Sequence, residues 1–275
     1  MKQKMLFVAV CLMFCFSTLA VARPKVGLVL GGGGAKGAAT IGALKVIESA
    51  GIKVDYIAGT SIGAIIGGLY ASGYTVSELE TLFLSREWQD ILEGHRVDAQ
   101  LKSLFHSRGV WNFKDTKIPF TCVATDRWTI QEVDISTGDI VKAVRASMSI
   151  PELYEAVTWG DTELVDGGMV NNLPVDVAKA MGANIVIAID LKQKDNVALG
   201  ISLGVGGLLD WVLSRPDENR YLINLEDINV HIHPRLPDFT AMSFGHDNCE
   251  LMMKLGEQEA QAHWDELIKI KNLQK

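Results

Sequence analysis

Cysteine is scarce. Of four in 275 residues, Cys11 and Cys15 lie in an apolar N-terminal run, and only Cys122 and Cys249 lie beyond it. No Cys or His cluster has metal-ligand spacing, so no metal is expected and a disulfide framework is excluded. A single 122–249 disulfide stays open, although Cys122 sits in an apolar strand-like run, which favours two unpaired thiols. Positive charge is also in short supply: 26 Lys and Arg stand against 33 Asp and Glu, a formal net charge of −7. Nucleic acid, or a strongly anionic membrane held by charge alone, is thereby an unsuitable partner. No Gly-Lys-Ser/Thr tripeptide exists, since Lys36 is followed by Gly37, so a Walker-type phosphate loop is absent. There is no internal repeat, no low-complexity segment, and no sign of a second domain.

Residues 1–22 have the order of a removable secretory signal: Lys2 and Lys4, an apolar run from Leu6 to Leu19 broken only by Ser17 and Thr18, then Ala20-Val21-Ala22 before Arg23. The rival reading is a membrane anchor, but the run is short of the roughly 20 residues that a crossing needs. The expectation is an exported protein, periplasmic or secreted, with residues 23–275 forming one domain. Without Lys2 and Lys4 the formal charge becomes −9.

Hydrophobic periodicity gives the organisation. Residues 25–30 read as a buried strand, 36–50 as a helix stopped by Gly51, 54–58 as a second strand, and 64–72 as a small-residue helix ending at Gly73. Thr75-Val76-Ser77-Glu78 is a capping box opening another helix. Strands are expected at 120–124, 130–135, 163–165 and 184–189, and helices at 141–147, 174–181 and 250–273. This alternation predicts a three-layer α/β/α fold around a mostly parallel sheet. Residues 86–117 lack clear periodicity and carry Trp88, Phe105, Trp111 and Phe113; a mobile cover over the site and an irregular surface connection tacked down by aromatics are both open. Residues 199–213, rich in glycine and leucine, fit core packing better than a substrate-facing or membrane-touching helix.

Three motifs carry chemistry. Gly59-Thr60-Ser61-Ile62-Gly63 lies between a strand and a helix, where Gly-x-Ser-x-Gly places a serine on a sharp turn facing substrate. The run Gly31-Gly32-Gly33-Gly34-Ala35-Lys36-Gly37 follows the first strand, and its backbone N–H groups can converge on an anion at the helix start. A dinucleotide fingerprint is the alternative for Gly32, Gly34 and Gly37. It requires a ribose-binding acid at the end of the second strand, where Gly59-Thr60-Ser61 stands instead. The third motif is Asp166-Gly167-Gly168, after an apolar strand and before Asn171-Asn172-Leu173-Pro174.

In this order the three motifs resemble the patatin-like phospholipase family, over residues 25 to about 190. Arg145-Ala146-Ser147-Met148-Ser149-Ile150-Pro151 is similar to the family's Ala-Ser-x-x-x-Pro block, with Glu152 and Leu153 standing where that pattern continues Gly-x-Phe. The resemblance implies Ser61 as nucleophile, Asp166 as its base, and the backbone of Gly32, Gly33 and Gly34 as the oxyanion hole, with no cofactor. It implies a lipid or other acyl-ester substrate, with transient contact at a membrane surface. A Ser-His-Asp triad is the rival arrangement, completed by His231, His233 or, best placed in a Ser/Gly loop, His246. His231-Ile232-His233 alternates like a strand, with both imidazoles on one sheet face. Two other functions stay open, a non-catalytic lipid-binding protein and a dinucleotide-binding enzyme.

Overall fold

Side-chain alternation sorts the strands' residues into two apolar layers. The chain begins with β1 (Val26–Leu30), a 3-10 turn (Gly34–Lys36), α1 (Gly37–Ala50), β2 (Tyr56–Thr60), α2 (Ile62–Ala71), α3 (Val76–Leu84) and α4 (Val97–His106). It continues through β3 (Phe120–Asp126), β4 (Glu132–Ile135), α5 (Ile140–Ser147), β5 (Val157–Trp159), β6 (Thr162–Asp166), α6 (Val175–Ala180) and β7 (Ile185–Ile189). Last come α7 (Glu218–Glu226), β8 (Val230–Ile232), α8 (His246–Ala262) and α9 (Trp264–Leu273). Val26, Leu28, Leu30, Ile185, Ile187 and Ile189 enter the larger core beneath α1, α2 and α8, whereas Val29, Val186 and Ala188 enter a smaller one against α6 and α7. A sheet with both faces buried is the result, as an α/β/α sandwich requires. This is a computed structural model describing residues 23–85, 97–193 and 218–275. Residues 1–22, for which a secretory signal is expected, residues 86–96 and the 199–213 stretch lie outside the described residues.

The sheet order is β5-β6-β3-β2-β1-β7-β8, with β4 also paired to β3. Strands β3, β2, β1, β7 and β8 run parallel; β4 and β6 are antiparallel to β3, and β5 to β6. Register along β3 prepares the site. Thr60, the end of β2, pairs with Val123, and Asp166, the end of β6, pairs with Ala124. Both β4 and β6 pair with Ala124 and Thr125, so they occupy opposite edges of β3 there, and β6 takes up the edge that β2 leaves. Two chain ends therefore meet one step apart.

Helices α1 and α8 cross at glycines. A Cβ on Gly42 would fall 1.8 Å from the Met253 carbonyl oxygen, and one on Gly256 would fall 1.9 Å from that of Ala39. The capping box at Thr75 is complete: its side chain accepts the Glu78 N–H, and the Glu78 carboxylate accepts the Thr75 N–H. Residues 97–117 form α4 and a 3-10 turn held by buried Leu101, Phe105 and Phe113, the last stacked on Phe120 with centroids 5.7 Å apart. The described part of the segment is thus a regular helix and turn rather than an irregular connection, with Phe105 and Phe113 buried and Trp111 exposed. The single terminal helix expected over 250–273 is instead two, broken at His263, whose ring binds Glu266 while the chain turns. Cys122 and Cys249 are separate buried thiols. Among the described residues no helix is long and apolar enough to cross a membrane.

Candidate active site

The turn from β2 into α2 places Ser61 at φ 56 and ψ −123, an unusual conformation for a residue with a side chain. Its flanking glycines explain how the turn closes. A Cβ on Gly59 would meet the Gly63 carbonyl at 2.5 Å, and one on Gly63 would meet the Leu30 carbonyl at 2.1 Å. Ser61 is 3% exposed, and its Oγ donates to Asp166 Oδ2 at 2.7 Å. The second carboxylate oxygen, Oδ1, accepts the Gly168 N–H at 2.7 Å. Burial pushes the Asp166 carboxyl up to about 7, against the opposing pull of those two hydrogen bonds.

Backbone and hydroxyl groups hold the pair in place. The Ser61 N–H donates to Ser147 Oγ at 3.0 Å, and that hydroxyl donates to the Val123 carbonyl at 2.6 Å. The Asp166 N–H donates to the Ser149 carbonyl, and Thr125 Oγ1 donates to the Asp166 carbonyl. Ser149 Oγ in turn accepts from Arg145 at 2.5 Å and donates to the Arg145 carbonyl at 2.7 Å. The block from Arg145 to Pro151 is thus a bracket that touches Ser61 from one end and Asp166 from the other. Sequence spacing shows Ser147 and Ser149 only as part of that block; their separate attachments need the fold.

The glycine run lies directly over the serine: a Cβ on Gly32 would come within 3.1 Å of Ser61 Cβ and 2.3 Å of Asn172 Oδ1. Asn172 grips Gly32 at both ends, its carbonyl accepting the Gly32 N–H at 3.1 Å and its Nδ2 donating to the Gly32 carbonyl at 3.2 Å. The single Gly32 hydrogen is thereby engaged within the fold. The loop is capped from outside by Ala241, whose carbonyl accepts the Ala35 N–H at 2.9 Å.

The described histidines take no part in this constellation. His231 binds Asp190, and His246 opens α8 with its side chain 60% exposed, not in the loop expected for it. The hydroxyl of Ser61 reaches a carboxylate with no imidazole between them.

Beyond the bracket, Leu153 N–H donates to the Ile150 carbonyl across Pro151 and Glu152, and Glu152 has φ 69. Pro followed by a positive-φ residue is the pattern of a type II turn, whose third position favours glycine. The departure from Gly at 152 therefore leaves strain. Glu152→Gly is expected to raise Tm by about 2 °C, relief of backbone strain outweighing added chain entropy. A thermal melt showing a lower Tm contradicts this reading of the turn.

A sequence profile described as patatin-like phospholipase matches residues 28–122 and 110–179, more than half of the chain. The chain belongs to the patatin-like phospholipase family. Curated relatives include lysophospholipase NTE1 of Debaryomyces hansenii, 34% identical over 190 residues, covering 64% of this chain and 12% of that protein. Patatin-like phospholipase domain-containing protein 7 of Mus musculus is 34% identical over 197 residues, covering 63% of this chain and 14% of that protein. The chain thus spans only about an eighth of the length of these relatives. Among solved structures, VipD from Legionella pneumophila superposes with TM-score 0.57 at 13% identity, over 88% of this chain and 67% of that one. ExoU from Pseudomonas aeruginosa, in complex with SpcU, gives 0.53 at 16%, over 90% and 53%. At such identities the superpositions speak for the fold alone, a mixed α/β sandwich.

Proposed function

We propose that this chain is an exported serine hydrolase that cleaves carboxylic esters of lipids, phospholipid or lysophospholipid, through an acyl-Ser61 intermediate. The observation that carries the proposal is the direct Ser61–Asp166 hydrogen bond at 2.7 Å, beneath a glycine run that touches Ser61. Relatives named lysophospholipase and patatin-like phospholipase support the lipid ester as substrate class. Export, to the periplasm or outside the cell, rests on the charge, apolar run and small residues of 1–22.

Asp166 takes the Ser61 proton as Oγ attacks the ester carbonyl, and the negative charge that develops on the carbonyl oxygen falls to the amides of Gly33 and Gly34. Gly32 is the thin wall that lets the carbonyl approach. The proton on Asp166 then passes to the leaving alcohol. Water, deprotonated by the same carboxylate, releases the acyl group and restores Ser61. No metal or cofactor enters the sequence. Ser61→Ala is expected to lower hydrolysis of lysophospholipid and of short acyl esters at least ~10³-fold with folding intact, a loss comparable to removing a nucleophile in other acyl-transfer enzymes. Normal turnover by the folded variant contradicts the proposal.

Contact with a lipid surface is supported by the β3–β4 connection. Asp126 lies three residues past Val123, the partner of Thr60, so this tip extends roughly 10 Å beyond the serine's end of the sheet. It carries Trp128 at 69% exposure and Ile130 at 52%, the latter at φ 54, where a β-branched residue is strained. Asp126 Oδ1 accepts the N–H groups of Trp128 and Thr129, fixing the tip. Trp128→Ser with Ile130→Ser is expected to lower activity on phospholipid vesicles about tenfold or more, with short soluble esters unaffected. Equal losses on both substrates contradict a surface-contact role.

A further inference from the structure

We propose that Asp190, His231 and His233 form a transition-metal site on the sheet face opposite the larger core, suited to Zn²⁺. The sequence offers no such cluster because the carboxylate and the first imidazole are 41 residues apart. Strand pairing joins them. In β7, Val186 and Ala188 face the smaller core, and Asp190 follows them in the alternation. In β8, Val230 and Ile232 face the larger core, which turns His231 and His233 to the side of Asp190. Ala188 pairs with His231 and Ile189 with Ile232, so one further step sets Asp190 opposite His233. One potential ligand atom from each side chain lies within 4.8 Å of the others.

The surroundings have the character of a metal site's outer shell. Tyr221 Oη donates to Asp190 Oδ2 at 2.5 Å, and the Lys192 N–H donates to Oδ1 at 2.9 Å. His231 Nε2 lies 3.1 Å from Asp190 Oδ2, and His233 Nε2 lies against the Lys192 carbonyl. A metal taken by Nε2 of both rings moves their N–H to Nδ1, while Tyr221 and the Lys192 N–H keep their hold on Asp190. The two rings are stacked, with centroids 5.3 Å apart and planes at 15°. Asp190 is 1% exposed, and the imidazoles are partly exposed on the edge strand. Lys192 directs its ammonium over the Tyr221 ring, 4.2 Å from the centroid.

Two imidazoles and one carboxylate suit Zn²⁺ better than Ca²⁺ or Mg²⁺, which prefer all-oxygen shells, and leave a fourth position for water. Ligand atoms around a tetrahedral zinc at ~2.1 Å sit closer together than 4.8 Å, so the partly exposed rings must close by about 1 Å or more. An ion there would tie the ends of β7 and β8 together beneath the glycine run, since the Ile189 carbonyl accepts the Gly31 N–H and Leu191 packs against Gly33.

Titration calorimetry with Zn²⁺, and Co²⁺ loading followed by visible d–d absorption, test the site on the full chain at pH 7.5. One equivalent is expected to bind to the wild type, with Tm raised by about 5 °C or more at a hundredfold excess over Kd. The His231→Gln/His233→Gln double variant, which keeps buried Asp190 with its Tyr221 and Lys192 partners, is expected to lose both the binding and the shift. Absence of wild-type binding, or undiminished binding by the folded double variant, overturns the proposal. Neither result bears on the Ser61 chemistry, which uses none of these side chains.

Discussion

Asp166→Asn is expected to lower turnover about 10²- to 10⁴-fold while leaving the protein as stable at pH 8 as the wild type, or more so. Catalysis fails because a carboxamide cannot accept the serine proton. With its oxygen kept on the Gly168 N–H, the amide nitrogen points at Ser61 Oγ as a donor, reversing the direction of the hydrogen bond. Stability follows from linkage. The folded carboxyl titrates near 7, raised by burial from 3.8, so the native state holds this proton more tightly than the unfolded chain. Between those two values the native protein is protonated here while the unfolded chain has released the proton. This group's contribution to stability therefore falls as pH rises through that window and is flat above it. The full difference is of order a few kcal/mol. Asparagine removes the slope, so the variant's Tm advantage should appear at pH 8 and vanish near pH 4. In the wild type, kcat/KM should rise with pH along a limb centred near 7, as the base ionises. A pH-independent rate between 5 and 9 contradicts the role assigned to the carboxylate.

Gly256→Ala is expected to destabilise the fold by about 3 kcal/mol or more, lowering Tm by roughly 10 °C. The added methyl would sit 1.9 Å from the Ala39 carbonyl oxygen, and the obstacle is the backbone of α1, not a side chain that can swing aside. Relief requires α8 to move away from α1 and to open the core around Met252 and Met253, both buried at the crossing. Because α1 begins at the end of the glycine run, this variant should also lose activity as the helices separate. Thermal melts of Gly256→Ala and of the reciprocal Gly42→Ala measure the effect. A shift under ~2 °C in both would mean that the two helices are not in backbone contact.

Much of the fold was legible because its signals are local. Within 25–30 and 184–189, Val26–Leu30 and Ile185–Ile189 are continuous apolar runs of strand length, and Thr75-Val76-Ser77-Glu78 is a capping box that forms as written. Boundaries moved by a residue or two where a turn, not a side-chain pattern, sets them: β2 runs to Thr60 because the elbow begins at Ser61. The break at His263 was hidden because Trp264, Leu267 and Ile268 continue an amphipathic pattern after the chain has turned. Strand β5 was missed since Val157–Trp159 is only three residues long and partly exposed.

At the site, Ser61, Asp166 and the glycine run were visible as motifs, but their relation was not. It depends on β6 entering antiparallel along the edge of β3 that β2 has just left. The same limit applies to Ser147, Thr125 and Asn172, ordinary polar residues whose importance comes from the atoms they meet: the Ser61 N–H, the Asp166 carbonyl and both ends of Gly32. Gly32 shows the converse. Its place in the glycine run is legible, whereas the hold of Asn172 on its hydrogen and the access its missing side chain gives to the serine come from the fold.

The central claim is that Ser61 is a nucleophile activated by Asp166. Intact-protein and peptide mass spectrometry after brief treatment with a fluorophosphonate at pH 8 tests it most directly. The account predicts a single adduct on Ser61 in the wild type, none in Ser61→Ala, and labelling slowed at least ~100-fold in folded Asp166→Asn. An unlabelled Ser61 in active protein, or an adduct that forms equally fast without the carboxylate, would contradict it.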